Sequence, residues 1–415
     1  MLIVVYFKDI KMKVKIEKGI AKGRVTAPPS KSMAHRLLIC AAMANGISEI
    51  KGLSDCEDVR ATLECLEALG VKVENDGECV RVHGRDMREA SPVSPLYARE
   101  SGSTLRFLIP IALLSGKNTI FYGAPTLMKR PMDVYLTMCE EKGLIYLADG
   151  SSIAVKGPLT SGEYTVVGNI SSQFISGLLF ALSALDGESK IRILPPIESK
   201  SYIDMTVEAL AIFGIKVVWE DEYTLFIASG QSYTSASVTV EGDYSGSAFT
   251  DALGALGGDV VTEGLNPDSI QGDKIYRDFF EMIKIGVPTI HIGNCPDLGP
   301  VLFALAAAKH GGVFTGTRRL KIKESDRASA MAEELKKFGV SVNVSEDRVV
   351  VYPADFHKPS ETLSGHNDHR IVMALSVLLT LTGGEIEGAE AVKKSYPAFF
   401  DDIKRLGIGV TVYDV

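Results

Sequence analysis

One pattern, met six times, sets what this chain can fold into. Each copy opens on a cluster of small-polar or charged residues that runs straight into an apolar stretch. The first three clusters are Ser30-Lys31-Ser32-Met33-Ala34-His35-Arg36, ESGSTLR from Glu100, and Asn169-Ile170-Ser171-Ser172-Gln173. The other three are Gly242-Asp243-Tyr244-Ser245-Gly246-Ser247, Cys295-Pro296-Asp297 and His366-Asn367-Asp368-His369-Arg370. Between them lies a second element: an amphipathic helix pattern, a glycine, then two alternating β-rich runs. TLECLEALGVKVENDGECVRVHG from Thr62 and MAEELKKFGVSVNVSEDRVVVYP from Met331 are examples. Others start near Val134 and Met205, a shortened one starts near Asp278, and the last ends the chain. Most copies stand roughly 70 residues apart, well beyond the usual solenoid period.

Each unit reads as strand–helix–strand–helix–strand–strand, an α/β (α+β) arrangement. At 415 residues the chain exceeds what one core usually serves. Three copies fall in about residues 30–230 and three in about 240–415, so two similar globular domains are expected. The small-polar stretch 230–237 lacks a helical pattern and reads as the crossover between them.

The first helix of each unit is apolar nearly all round, so it belongs inside its domain. Its polar residues gather at the N-terminal end, where unpaired N–H groups and the positive end of the macrodipole suit phosphate or carboxylate. Ordinary capping explains one Ser or Asp per helix and is the default for the copies at 243 and 297. It does not explain Lys31 with Arg36, Arg106, or Asp368-His369-Arg370. Cations beside buried helices need counter-charges, and internal ion pairs are costly, so an anionic ligand is the better account. Further basic clusters are Lys129-Arg130-Pro131, the stretch Arg318 to Arg327, and Lys393-Lys394-Ser395-Tyr396-Pro397.

These clusters stand out because the chain is acidic overall, with net charge −8 and pI near 5.5. That balance argues against nucleic-acid binding. Pro28-Pro29-Ser30-Lys31-Ser32 lacks the glycines of a P-loop, no G-x-G-x-x-G follows a strand, and no magnesium motif is seen, which disfavours ATP chemistry. The cysteines Cys40, Cys56, Cys65, Cys79, Cys139 and Cys295 form no C-x-x-C pair. Cys79 and His83 have no second pair to complete a zinc site, so neither metal nor disulfide is expected and a reducing cytoplasm fits. The cysteines read as small buried hydrophobes. No apolar run reaches 18 residues, so no membrane helix is expected. The apolar opening Met1 to Phe7 is too short for a secretory signal. With Met12 as a second possible start, residues 1–11 read as a loosely attached extension.

The segments PPSKSMAHR, SGSTLR, KRPMDVY, ISSQFISGLL, ESKSYIDMT, EGDYSGSAF, QGD, CPD, KESDR, NDHR and KKSYP run from residue 28 to 397. In that order the sequence resembles the enolpyruvyl transferase family, and within it the shikimate-pathway branch. The resemblance implies two similar domains, each of three βαβαββ repeats around buried parallel helices, an inside-out α/β barrel-like fold. It adds the N-terminal strand region to the second domain, giving residues 1–29 plus 241–415 against 30–240. It also implies a cleft, lined by helix N-termini, that closes on phosphoenolpyruvate and 3-phosphoshikimate. No cofactor, metal, nucleic acid or membrane is implied, and a cytoplasmic monomer is expected.

Residue by residue, the resemblance assigns Lys31, Ser32, Arg36, Ser171, Ser172, Gln173, Ser199, Tyr202, Asp297 and Lys323 to 3-phosphoshikimate. It assigns Lys31, Gly102, Arg130, Gln173, Arg327, Arg370 and Lys394 to phosphoenolpyruvate, where guanidinium forks suit carboxylate and phosphate. The chemistry needs a hydroxyl to attack C2 while C3 gains a proton, then phosphate to leave as C3 loses one. Asp297 is the candidate that holds and deprotonates the hydroxyl, and Glu324 the candidate proton donor at C3. Lys31 is the candidate that assists proton transfer or meets the departing phosphate. The plainer reading of Glu324 is a structural partner to its neighbouring cations.

Glu100 and Arg319 stand where well-known members carry asparagine, and both are left out of the site. His366 replaces a frequent aromatic, and Phe107 a commoner proline. The cell-wall relative, which acts on a UDP-amino sugar, carries a Lys-Asn motif and a mobile-loop cysteine. Here Lys31-Ser32 replaces the first, and no cysteine lies in 110–130.

Overall fold

The computed structural model describes residues 11–414, so the extension read over residues 1–11 falls, except for Lys11, outside the described residues. Two hydrophobic cores organise the chain. One draws on residues 33–240, and the other on 14–25 together with 244–408. Helices Lys31–Met43, Gly102–Ala112 and Ser172–Leu182 run through the first. Helices Tyr244–Ala255, Gly299–Ala308 and His369–Thr382 run through the second. A helix with no polar stripe has no face to offer water. Accordingly every residue from Met33 to Met43 and from His369 to Thr380 is buried. The helices at Gly102 and Ser172 approach closely because of Gly177. A Cβ there would lie 2.6 Å from the Arg106 carbonyl and nearer still to the Tyr135 hydroxyl.

Among the described residues six small sheets wrap these helices. The full unit is seen at Leu96–Tyr97, Asn118–Tyr122, Ile145–Ala148 and Ser152–Lys156. Its first strand runs parallel to its second, and its last strand lies antiparallel between the second and third. Two sheets are completed by strands from far along the sequence. Ser237–Thr239 pairs parallel with Ile47–Lys51 in the first. Met12–Ile16 lies antiparallel between Gly384–Glu387 and Val410–Asp414 in the last. The fourth sheet keeps only Lys22–Thr26 and Asp259–Glu263, so the shortened copy lacks its final two strands.

The stretch 230–237 is not where the chain leaves the first core. Tyr233 within it is buried and donates to the Phe180 carbonyl at 2.8 Å, and the strand that follows still pairs in the first sheet. A small-polar composition marked irregular backbone correctly but could not show that one tyrosine anchors it. The chain passes between the cores at residues 28–30 and 241–243, which lie side by side. Ser30 N donates to the Glu241 carbonyl at 2.8 Å and Asp243 N to the Pro28 carbonyl at 2.7 Å. A buried helix starts directly after each passage. All six cysteines are buried and unpaired, as small hydrophobes would be. Among the described residues no helix is long and apolar enough to cross a membrane.

Candidate active site

Ser30, Ser101 and Ser171 cap the three buried helices of the first half. Their side chains accept from Met33 N at 3.4 Å, Thr104 N at 3.2 Å and Gln173 N at 3.3 Å. The first helical residues, Lys31, Gly102 and Ser172, all line one cleft of about 800 Å³. Three N-terminal dipole ends therefore meet at one place, each favouring an anion. A Cβ at Gly102 would stand 2.9 Å from Arg130 Nη1, so a larger residue there would displace that guanidinium.

The predicted residues Lys31, Ser32, Arg36, Gly102, Arg130, Ser171, Ser172, Gln173, Ser199 and Tyr202 line this cleft from the first half. Asp297, Lys323 and Glu324 line it from the second. Arg327, Arg370 and Lys394 are not in the lining: Arg327 and Arg370 pair with Asp297 of the wall, and Lys394 pairs with Glu100. Six cationic side chains face three carboxylates in the lining, so the cleft holds surplus positive charge in a chain that is acidic overall.

Asp297 is the hub of the second half. It receives Lys323 Nζ at 3.0 Å, Arg327 Nη1 at 2.7 Å and Arg370 Nη2 at 3.1 Å. Burial alone would push its pKa up, but Arg370, Lys323 and Arg327 outweigh that and hold it well below the usual carboxylate range. Glu324 pairs with Arg327. Its burial is likewise outweighed, by Arg327, Arg130 and Lys31, so it too is held ionised. Lys31 donates to Asp58 Oδ2 at 2.7 Å. Burial pulls the Lys31 pKa down, but Asp58 and Glu324 raise it further. Burial brings Arg36 and Arg106 down to about 10, which leaves both charged near neutral pH. The Arg36 guanidinium is fixed by Thr206 Oγ1 at 2.8 Å and the carbonyls of Ser32 and Tyr202 at 2.6 and 2.7 Å.

The two helix starts read by default as capping separate here. Asp243 does cap, accepting from Ser245 N at 3.0 Å. Asp297 caps nothing and serves the three cations instead. Asp368 caps its helix through Arg370 N at 2.9 Å and accepts from Arg327 Nε at 2.8 Å. His369 stays neutral, held well below its usual pKa by burial and then by Lys31.

Asp58 and Arg319 line the cleft although neither was placed in the site, and so does Arg106, which was expected from its helix start to face an anion but was given no ligand. Arg106 donates to Gln173 Oε1 at 2.8 Å, and its place at a helix start was a usable signal. Arg319 reaches across to Ser199 Oγ at 2.8 Å and the Ile170 carbonyl at 3.1 Å. Asp58 looks in sequence like any first-turn acid. Among the described residues one group could hold a metal ion, Glu333, Glu334 and His366. Glu334 there already accepts from Lys337, the Ser364 amide and His366.

Asp243 carries a pH prediction. Burial lifts its pKa to about 6, with Arg370 pulling the other way. An unfolded aspartate titrates near 3.9, so between about pH 4 and 6 the folded state binds more protons and stability falls as pH rises. Asp243→Asn keeps a cap and removes the charge. Its stability relative to the parent, measured by urea unfolding, should be near zero at about pH 4 and climb through about pH 6. A flat difference would exclude the buried charge as the cause.

The family model described as EPSP synthase (3-phosphoshikimate 1-carboxyvinyltransferase) matches residues 17–403. A 3-phosphoshikimate 1-carboxyvinyltransferase of Clostridium kluyveri is 38% identical, covering 93% of this chain and 95% of the relative. One from Clostridium beijerinckii is also 38% identical, over 95% of this chain and 97% of its own. Among solved structures, an EPSP synthase from Acinetobacter baumannii superposes with a TM-score of 0.78 at 26% identity, covering 97% of this chain and all of that one. The sixfold repeat, the converging helix starts and these likenesses agree, and the chain belongs to the EPSP synthase (3-phosphoshikimate 1-carboxyvinyltransferase) family.

Proposed function

We propose that the chain transfers the enolpyruvyl group of phosphoenolpyruvate to the 5-hydroxyl of 3-phosphoshikimate, releasing inorganic phosphate, on the route to chorismate and the aromatic amino acids. The observation that carries this reading is the single cleft in which three helix N-termini of one half face Asp297, Lys323 and Glu324 of the other. Both substrates are polyanions, and both reacting centres need an acid–base group held between them.

In this reading residues 30–240 hold 3-phosphoshikimate, through Ser171, Ser172 and Ser199 with Lys31, Ser32, Arg36, Gln173 and Tyr202. Residues 1–29 with 241–415 supply the acid–base pair. Asp297, kept ionised by its three cations, orients the attacking hydroxyl and takes its proton. Glu324 delivers a proton to C3 and later removes one. Phosphoenolpyruvate lies against Gly102, Arg130, Gln173, Arg327, Arg370 and Lys394. Three of these cations already pair with carboxylates, so its anions exchange with existing partners instead of meeting bare buried charge. Lys31, freed from Asp58, meets the charge that develops on the departing phosphate. No step moves electrons to an acceptor, so protein cations suffice without a cofactor. A cytoplasmic monomer acting on these two small molecules completes the reading.

Phosphate release tests it. With phosphoenolpyruvate and 3-phosphoshikimate, release should proceed undiminished in a chelator and be absent when a UDP-amino sugar replaces the shikimate. No release with 3-phosphoshikimate would sink the proposal, and release with the nucleotide sugar alone would move it to the cell-wall branch.

A further inference from the structure

Lys394 is largely buried and uses all three of its N–H donors on the protein. They go to the Asn367 carbonyl at 2.6 Å, the Asn367 side-chain oxygen at 2.9 Å, and the Glu100 carboxylate of the other half. Glu100 also accepts from Asn367 Nδ2, at 2.9 and 3.2 Å from its two oxygens. One carboxylate of the first half thus ties down both a cation and an amide of the second.

The backbone on both sides of this crossing is held in the left-handed region. Arg99, just before Glu100, has φ 51°, and His366 and Asn367 have φ 48° and 51°. Arg99 is kept there by Glu64, at 2.6 Å from Nη2, and by Ala124 N donating to its carbonyl at 2.7 Å. His366 is kept by Glu334 at 3.0 Å. Among the described residues the fourth such non-glycine position is Ser199, at φ 57°. It too marks a crossing, its amide on Asn294 Oδ1 at 3.0 Å and its hydroxyl on Arg319. Non-glycine backbone stays in this region only where its surroundings over-determine it; Asn367 and Ser199 themselves contact the opposite half, and Arg99 and His366 are next in sequence to the residues of the Glu100–Asn367 crossing.

We infer that Glu100 is an affinity-setting latch: by holding Lys394 and Asn367 of the opposite half, it makes the anion of phosphoenolpyruvate compete with a carboxylate of the protein. This rests on the reading of Lys394 as a phosphoenolpyruvate contact. Two effects oppose each other in Glu100→Gln. Losing an ion pair across the halves loosens closure, a few-fold effect for a partly exposed pair, and glutamine can still accept from Asn367. Removing a like charge from beside the incoming anion helps by more, because like-charge juxtaposition is strongly unfavourable. A residue that merely braced the fold could only weaken binding when changed. A competing residue strengthens it.

The test is steady-state kinetics of Glu100→Gln and Lys394→Met in the full chain, with inorganic phosphate as a second anionic probe. Glu100→Gln should lower KM for phosphoenolpyruvate and the inhibition constant of phosphate, each about 3- to 10-fold. Its kcat should stay within about twofold, as should KM for 3-phosphoshikimate. Thermal midpoints of both variants close to the parent's show that folding is intact. An unchanged or raised KM in Glu100→Gln, alongside a raised KM in Lys394→Met, overturns the latch alone. An unchanged KM in both removes Lys394 from the site and takes the latch with it.

Discussion

Glu324→Gln is expected to lower kcat by about 10²- to 10⁴-fold, the range for loss of a positioned general acid, while KM for either substrate moves little. Glutamine has the same shape and still accepts from Arg327, but it has no proton to give. The tension in this assignment lies in the resting charge. Arg327, Arg130 and Lys31 overcome burial and keep the carboxyl ionised, yet a donor to C3 must first hold a proton. The substrate supplies the remedy. When phosphate and carboxylate of phosphoenolpyruvate pair with those same cations, the opposite charge that depressed the Glu324 pKa is neutralised. Burial then acts unopposed and drives the pKa up. Binding of phosphoenolpyruvate should therefore draw a proton from solution, measurable by calorimetry in buffers of different ionisation enthalpy. Glu324→Gln should take up fewer protons than the parent under the same conditions. Near-normal turnover in the variant would exclude the role, and equal proton uptake would exclude the mechanism of charging.

Arg327→Leu should cost the most stability. Arg327 is 1% exposed and pairs with Asp297 at 2.7 Å, Asp368 at 2.8 Å, and Glu324. Leucine leaves these carboxylates short of a shared counter-ion, and Asp368 is fully buried with only a cap hydrogen bond and Ser325 beside it. Breaking a buried pair from one side typically costs about 3–5 kcal/mol. For domains of this size that is a fall of roughly 10 °C in thermal midpoint. Adding Asp368→Asn, which keeps a cap and removes one stranded charge, should recover part of the loss. A loss below about 1 kcal/mol, the range of surface pairs, would mean that water or other cations already solvate the cluster.

Both predictions concern side chains whose identity was visible in the sequence and whose partners were not. The repeats, the glycine stops and the polar helix starts are local patterns. A period of 3.6 or 2, or a serine before an apolar run, is read within a dozen residues. That is why six buried helices could be placed and anions expected at their beginnings. The likeness of KESDR, NDHR and SGSTLR to family motifs then named the residues to watch.

Other features depend on residues far apart along the chain. Nothing near Met12–Ile16 says that it will lie between strands that start at residues 384 and 410. Nothing near Ser237–Thr239 says that it completes the first sheet and not a sheet of the second half. An extended segment with apolar alternation fits several sheet edges, and only closure of the whole layer selects one. The same holds for charge. Asp297 resembles a helix cap until Lys323 and Arg327 arrive from one other segment and Arg370 from a second. Glu100 and Arg319 look like departures from a pattern until each is seen to reach across to the opposite half.

The chain's own order of residues therefore determined the repeat, the buried helices and the preference of their starts for anions, because those follow from short-range periodicity and unpaired backbone N–H groups. Tertiary structure alone decided which cations share which carboxylates and which contacts hold the halves together. Those choices are electrostatic and geometric pairings between segments tens to hundreds of residues apart, and they exist only once both cores have formed.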